Sequence, residues 1–178
     1  MKNNISILGC GWLGLPLALT LTKKGYSIKG STTSEINVEK LKSNGVQPFI
    51  IDLRNRESEF QKFLNSKVLI IAIPSKNIAD FKNLISHIEN SKIKNILFIS
   101  STSVYPNSNS IVTEKNLIKK TPLSDIELLF KTNTKFKTTI LRFGGLIGYD
   151  RKPGNFFKNE KIINHPDAFV NLIHRDDC

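Results

Sequence analysis

Along this chain, short apolar runs alternate with stretches in which apolar residues return every three or four positions. Residues 5–8 make a compact apolar run, a glycine-rich turn follows, and a helical run over 15–24 is closed by Gly25. A second strand is predicted at 26–31, a helix at 38–42 closed by Asn44-Gly45, and a third strand at 48–53. A short helix over 57–65 carries Phe60, Phe63 and Leu64 on one side. Residues 68–73 are the strongest strand: six apolar residues in succession, four of them β-branched, ended by Pro74. Such a run suits a parallel strand buried on both faces. Ile78, Phe81, Leu84, Ile85 and Ile88 then recur at helical spacing, which predicts an amphipathic helix over 77–90. A fifth strand at 96–100 leads through a polar loop, 106–120, to a helix from Pro122 to Thr132, with the proline suited to a first turn. Strands six and seven are expected at 139–143 and 170–174. This rhythm predicts an α/β protein: one doubly wound parallel sheet with helices on both faces, occupying residues 1–178 as a single domain.

Composition narrows the picture. At 178 residues the chain suits one domain, and 39% hydrophobic residues supply a core. The formal charge of +11 comes from 26 Lys and Arg against 15 Asp and Glu. Only Arg54, Arg56, Arg142, Arg151 and Arg175 are arginines, and the lysines are scattered rather than gathered into a stripe. The densest sets, Lys92/Lys94, Lys119/Lys120 and Lys131/Lys135/Lys137, have no interleaved aromatics for base stacking. The charge is therefore read as a solvated lysine surface, and nucleic acid is not an expected partner. Cys10 and Cys178 suggest neither a disulfide framework nor a metal site. The apolar N-terminal stretch is broken by Gly9, Gly11 and Gly14, so it is not read as a signal peptide, and no later stretch is long enough to span a membrane. A cytoplasmic setting is expected. The oligomeric state is left open, a homo-oligomer included.

The first turn carries the most chemistry. Gly9, Gly11 and Gly14 form G-x-G-x-x-G directly after a strand and at the start of a helix. In that context the first glycine permits a tight turn, the second lets the backbone approach a pyrophosphate, and the third allows close helix packing. The N–H groups of the helix N-terminus then face the phosphates. The expected ligand is a dinucleotide. At the end of the second strand, where an acidic residue would hold the ribose 2′-hydroxyl of NAD, stand Ser31, Thr32, Thr33 and Ser34. Small hydroxyls there, with charge from Lys29 or Lys40, favour NADP over NAD.

The motifs together resemble the short-chain dehydrogenase/reductase superfamily, and within it the extended or atypical branch of nucleotide-sugar epimerase/dehydratase-like proteins. The resemblance rests on Ile7 through Gly14, on Asp52-Leu53, on Ile99-Ser100-Ser101-Thr102-Ser103-Val104-Tyr105, on Leu141 through Gly148, and on Ile173 through Asp177. It implies a Rossmann fold whose cofactor touches Trp12 and Leu13 in the turn. Asp52 would accept a hydrogen bond from the adenine amino group, with Leu53 against the ring. Ala72, Ile73 and Pro74 would line the cofactor, and Gly144 would lie near the nicotinamide. Ser101 would be the catalytic hydroxyl, and Arg151 would meet an anionic part of a small-molecule substrate, a nucleotide sugar or a related carbonyl or hydroxyl compound.

Two departures stand out. The family's Tyr-x-x-x-Lys pair is missing: four residues after Tyr26, Tyr105 and Tyr149 come Gly30, Asn109 and Pro153. Glu127 and Lys131 have the right spacing on the right helix and are read as a surface i,i+4 pair. The segment ending at Cys178 also leaves the relatives' substrate lobe largely absent. The reading leans toward an oxidoreductase or epimerase, with a non-catalytic dinucleotide-binding module (a sensor or interaction protein) as the alternative. His174, Asp176 and Asp177 are read as a strand end and cap rather than metal ligands, His87 as lying on a polar helix side, and His165 as a loop residue; no metal is assigned.

Overall fold

The structure, a computed structural model, describes residues 4–55, 58–108, 110–157, 167 and 169–178. Six parallel strands form the main sheet: β1 (Asn4–Leu8), β2 (Ser27–Thr32), β3 (Gln47–Ile50), β4 (Val68–Ile71), β5 (Asn95–Ser101) and β6 (Lys137–Phe143). Their spatial order is β3-β2-β1-β4-β5-β6. The chain winds outward from β1 to β3, then returns to the far side of β1 for β4. That reversal opens a crevice beyond the C-terminal ends of β1 and β4, where ligands of doubly wound sheets bind. The fold is the Rossmann-type α/β fold expected from the sequence.

The two faces are covered by different helices because side chains alternate along each strand. Ile5, Ile7, Ile28 and Ile70 pack with α1 (Gly14–Lys23) and α2 (Ile36–Ser43) through Ala18 and Leu41. Leu8, Leu69, Ile71, Ile96 and Phe98 face the other way, toward α3 (Phe60–Phe63), α4 (Ile78–Glu89) and α5 (Pro122–Thr132). That second core is aromatic. Phe98 stacks on Phe130 with centroids 5.2 Å apart, and Phe81 meets both rings edge-on. Ser6, fully buried between apolar neighbours, donates to the Phe63 carbonyl at 2.6 Å and pairs with Ser66, so its polarity is satisfied.

Local chemistry explains the helix ends. Gly25 follows α1 with φ +88°, a left-handed conformation that glycine adopts without strain. Asn77 caps α4 by accepting from the Ala79 N–H at 3.0 Å. Thr121 and Ser124 form a reciprocal capping box on α5, with Pro122 in its first turn.

Several boundaries differ from expectation. β3 ends at Ile50 and β4 at Ile71, leaving 51–53 and 72–74 outside the strands, with Leu53 already in a turn. The helix expected over 57–65 is a single turn, α3, and Glu57 lies outside the described residues. The seventh predicted strand does not join the main sheet. Only its last three residues form a strand, β8 (Leu172–His174), which pairs in parallel with β7 (Gly145–Ile147), a strand the sequence did not suggest. No described helix is long and apolar enough to cross a membrane.

Candidate functional site

The turn after β1 is built by its glycines. Gly9 adopts φ +95°, and a Cβ there would come within 2.5 Å of Ile73 Cγ2 and 2.8 Å of the Ala72 carbonyl oxygen. Gly14 opens α1 directly under the turn, where a Cβ would collide with the Gly9 carbonyl oxygen. Gly11 is different: a Cβ would meet nothing within 4 Å, because this position faces the open cleft. Two hydrogen bonds pin the turn to β2. Gly9 N–H donates to Ser31 Oγ at 2.9 Å, and Cys10 N–H donates to the Ser31 carbonyl at 2.8 Å. The Cys10 side chain turns inward instead, to where a Cβ on Gly30 would be 2.7 Å from its sulfur. Burial pushes its thiol up to about 12, so it stays protonated at neutral pH.

Two compartments lie along the C-terminal ends of the strands. The first, about 580 Å³, is bounded by Gly9, Gly11, Ser31 and Thr32 on one side and by Asp52, Leu53 and Ala72 on the other. The second, about 440 Å³, is bounded by Trp12, Leu13, Ser101, Leu146 and Arg151. Gly11 and the Ala72-Ile73-Pro74-Ser75 segment border both, so the two form one groove across the mouth of the turn. This division suits a dinucleotide, with one nucleoside on each side of a diphosphate held at Gly11. The cradle left free at Gly11, beside positions where a side chain cannot fit, is what the diphosphate requires.

Residues 4–123 match the family model described as the NAD-binding domain of 6-phosphogluconate dehydrogenase. The chain belongs to that NAD-binding family. Protein YeeZ of Escherichia coli K12 is 27% identical to it over 190 residues, covering 97% of this chain and 69% of that protein. A structure of a putative NAD-dependent epimerase/dehydratase from Methylobacillus flagellatus is 25% identical, with a TM-score of 0.76 over 99% of this chain and 67% of the other. UDP-glucuronic acid 4-epimerase from Bacillus cereus, solved with UDP-glucuronic acid and NAD, shares the fold at 21% identity, with a TM-score of 0.77 over 98% of this chain and 70% of that one. The chain thus spans about two thirds of the length of these relatives.

Within the NAD-binding domain, the first compartment holds an ion pair. Arg54 grips Asp52 through Nε to Oδ1 at 3.1 Å and Nη2 to Oδ2 at 2.8 Å, and its backbone N–H adds a third bond to Oδ1. These hydrogen bonds hold the Asp52 carboxyl down at about 2, so it is an acceptor at any ordinary pH. Arg54 had no assigned role in the sequence reading; its position two residues past Asp52 was the available signal. Lys29, expected to add charge beside the end of β2, borders neither compartment. Its ammonium binds the Lys62 and Asn65 carbonyls at 2.6 and 3.0 Å, beside α3. Lys40 lies on α2 and borders neither compartment.

At the other end, Ser101 stands at the C-terminus of β5, where its Oγ accepts from the Ser103 N–H at 3.1 Å. That bond uses a lone pair and leaves the hydroxyl proton free to donate into the second compartment. Gly144 does not border the groove. It is pressed against Asn171, and Leu146 occupies the lining instead.

The expected Glu127–Lys131 surface pair is wrong. Glu127 is 2% exposed and faces β6, accepting from Arg142 Nε at 3.0 Å and Nη2 at 2.6 Å and from the Ser100 hydroxyl at 2.5 Å. Arg142 Nη1 donates to Tyr105 OH at 2.6 Å, which completes the network. Burial near Arg142 is tolerable because every oxygen of the carboxylate is paired. The carboxylate therefore braces α5 against β6 and does not border the cleft. His87 is also placed differently: its ring stacks on Phe60 with centroids 4.4 Å apart. His174 ends β8 and caps the turn Arg175–Asp177 by accepting from the Asp176 N–H, as the sequence suggested. His165 lies outside the described residues. Among the described residues, no three His, Cys, Asp or Glu side chains gather as metal ligands.

Proposed function

We propose that this NAD-binding domain serves an oxidoreductase or epimerase that acts on a nucleotide sugar or a related carbonyl or hydroxyl substrate, with NADP preferred to NAD. The observation that carries the reading is the continuity of the groove. It runs from an adenosine compartment, past the open Gly11 position, into a second compartment that presents a serine hydroxyl and an arginine. Asp52 and Leu53 would hold the adenine, the turn at Gly11, Trp12 and Leu13 the diphosphate, and Ala72 to Pro74 the middle of the cofactor. When bound, the nicotinamide supplies hydride exchange with a substrate carbon. Ser101 then holds the substrate oxygen by donating its free proton, and Arg151 takes an anionic part of the substrate. The preference for NADP rests on the hydroxyl-bearing end of β2, which offers no carboxylate to repel a 2′-phosphate.

A second reading, a dinucleotide-binding module without catalysis, is favoured by one observation. The helix position from which relatives' base would act is held by Glu127, which is spent on Arg142 and Ser100. Trp12 is the only tryptophan and sits in the turn, so its emission reports occupancy. Titration with NADPH is expected to quench it and to transfer energy to the reduced nicotinamide, with weaker binding of NADH. Unchanged emission up to millimolar concentrations of both would refute dinucleotide binding in the groove. Once binding is established, hydride exchange with nucleotide sugars separates enzyme from module.

A further inference from the structure

The strands of the main sheet are parallel, so the chain enters all of them at one edge and leaves them at the other. The glycine turn and both compartments lie at the leaving edge. The entry edge gathers lysines that stand far apart in the sequence. Lys67 immediately precedes β4 and Lys94 immediately precedes β5, and the Lys94 N–H donates to the Lys67 carbonyl at 2.9 Å. The two residues are therefore neighbours, one strand spacing of about 4.8 Å apart. Lys92 joins them from the turn after α4, and all three border a cleft of about 820 Å³ whose rim also carries Asn65, Asn95 and Tyr26. A second cleft, of about 730 Å³, shares Asn65, Ser91 and Lys92 with the first, so the two make one groove. Among the described residues, no carboxylate borders either cleft. The acids closest along the chain are engaged elsewhere: Glu59 pairs with Lys62, and Glu89 with Lys135 and Asn133. Lys67, Lys92 and Lys94 are exposed, and none of their ammonium groups has a hydrogen-bond or ion-pair partner among the described residues. Lys29 registers the excess charge: its ammonium is pushed down first by burial and then by the charge of Lys92.

We propose that this groove at the entry edge binds single-stranded nucleic acid by its phosphodiester backbone, with Lys67, Lys92 and Lys94 meeting the phosphates and Tyr26 offering its ring to a base. The site goes beyond the dinucleotide reading and does not depend on it. Phosphate contacts of this kind need cations without internal partners, so that binding displaces counterions and not a carboxylate of the protein. A cationic groove with an aromatic platform is the arrangement that tracks a flexible strand. In sequence no aromatic interleaves with Lys92 and Lys94, but the fold brings Tyr26, at the entry to β2, to the same cleft. The Asn65 and Asn95 amides carry donors and acceptors for sugar hydroxyls and base edges. A concave groove suits a thin strand better than a flat membrane surface. Among the residues that border it, Tyr26 is the one exposed large apolar side chain, so the groove lacks the cluster of apolar anchors on which a protein partner docks.

The test is fluorescence anisotropy of fluorescein-labelled oligouridylate and oligothymidylate, each of about twelve nucleotides, titrated with the intact chain. Saturable binding of either supports the inference, and the tighter of the two identifies the strand that the groove takes. Binding should fall steeply with salt. The triple variant Lys67→Gln, Lys92→Gln and Lys94→Gln should weaken it about tenfold or more and lower the log–log salt slope by about 2. A control with Lys82→Gln, Lys115→Gln and Lys120→Gln removes the same charge elsewhere and should weaken binding by less than about threefold. Tyr26→Ser should cost about fivefold by itself. The three ammonium groups have no partner to lose, so the triple variant should melt with the parent. If it does not, Lys67→Gln and Lys94→Gln, each expected to weaken binding about threefold, decide instead. Saturating NADPH should leave the oligonucleotide affinity unchanged, because the two grooves lie at opposite edges of the sheet. Four results would overturn the inference: no binding at low salt; equal weakening by the control, which would reduce the effect to net charge; displacement by polyglutamate as readily as by unlabelled oligonucleotide, which would assign the groove to an acidic protein; or competition by NADPH, which would place the strand in the dinucleotide groove.

Discussion

Gly11→Asp separates holding a fold from holding a ligand. At Gly9 and Gly14 any side chain strikes backbone, but at Gly11 a Cβ points into open space, so the variant should fold with a stability within about 0.5 kcal/mol of the parent. Binding should respond quite differently. A carboxylate about 4 Å from one phosphate charge costs about 1 kcal/mol in a water-like dielectric and about 4 kcal/mol near a protein surface. A dinucleotide diphosphate carries two such charges, so even the lower figure doubled gives about 2 kcal/mol, or roughly a thirtyfold loss of affinity. Displacement of the phosphates by the side chain's volume adds to that. Isothermal calorimetry with NADPH, alongside a thermal melt, measures both quantities on one sample. Gly11→Ala serves as the uncharged control and should lose less. An Asp variant that binds as tightly as the parent, with an unchanged melt, would refute placement of the diphosphate at this turn. An Asp variant that fails to fold would refute the open space at Gly11.

Three further perturbations probe other parts of the structure. Glu127→Ala strands a part-buried guanidinium and the Ser100 hydroxyl, and should cost about 3–5 kcal/mol in a urea melt; Glu127→Leu combined with Arg142→Met should recover most of it, and an unaltered midpoint in the single variant would contradict the network. Arg54→Ala removes the two side-chain hydrogen bonds to the Asp52 carboxyl and keeps the one from the backbone N–H, so a carboxyl NMR titration should find the group risen from about 2 part of the way toward the ordinary aspartate range. Because the folded value is depressed, the pair's contribution to stability is present above about pH 4 and fades as pH falls to about 2. The variant's stability should therefore show a shallower acid-side slope, and an unchanged slope would assign it to other carboxylates. For the thiols, iodoacetamide at pH 8 should label Cys178 well ahead of Cys10, whose thiolate fraction there is only about 10⁻⁴. Equal labelling rates in the folded protein, read by peptide mass, would contradict the burial of Cys10.

Most of the main sheet was legible because parallel strands buried on both faces write unbroken apolar runs. What periodicity could not supply was where each run loses its neighbour. β1 leaves the sheet at Gly9, and its last partner is Ile71; beyond that Ala72 keeps one bond to the Leu8 carbonyl, and Ile73 and Pro74 are released to line the groove. The β7–β8 pair was illegible for a related reason. β7 has three residues, one of them glycine, and its pairing with residues 172–174 is non-local. Glu127 was misread because i,i+4 spacing to Lys131 is conspicuous and the true partner lies on another element. A better signal existed: Leu123, Ile126 and Phe130 mark the buried stripe of α5, and position 127 stands four after the first and three before the last. The glycine turn was read correctly because its constraints are local. Arg54 was missed because its role depends on a partner that sequence does not place.

The buried network also ties α5 to the end of β5. Alternation along β5 sends Ser100 toward α5, where it donates to Glu127, and leaves Ser101 at the groove. Arg142 on β6 closes the circuit through Glu127 and, by way of the Tyr105 hydroxyl, fixes the turn that Ser101 caps. The end of β5 is thus clamped on both sides of the candidate hydroxyl. Under the proposed function, α5 would contribute rigidity to Ser101 rather than a proton acceptor. Any base for the proposed reaction must then reach the second compartment from a different element, so substitutions on α5 should act through the placement of Ser101 and through stability, not through a pH-dependent step.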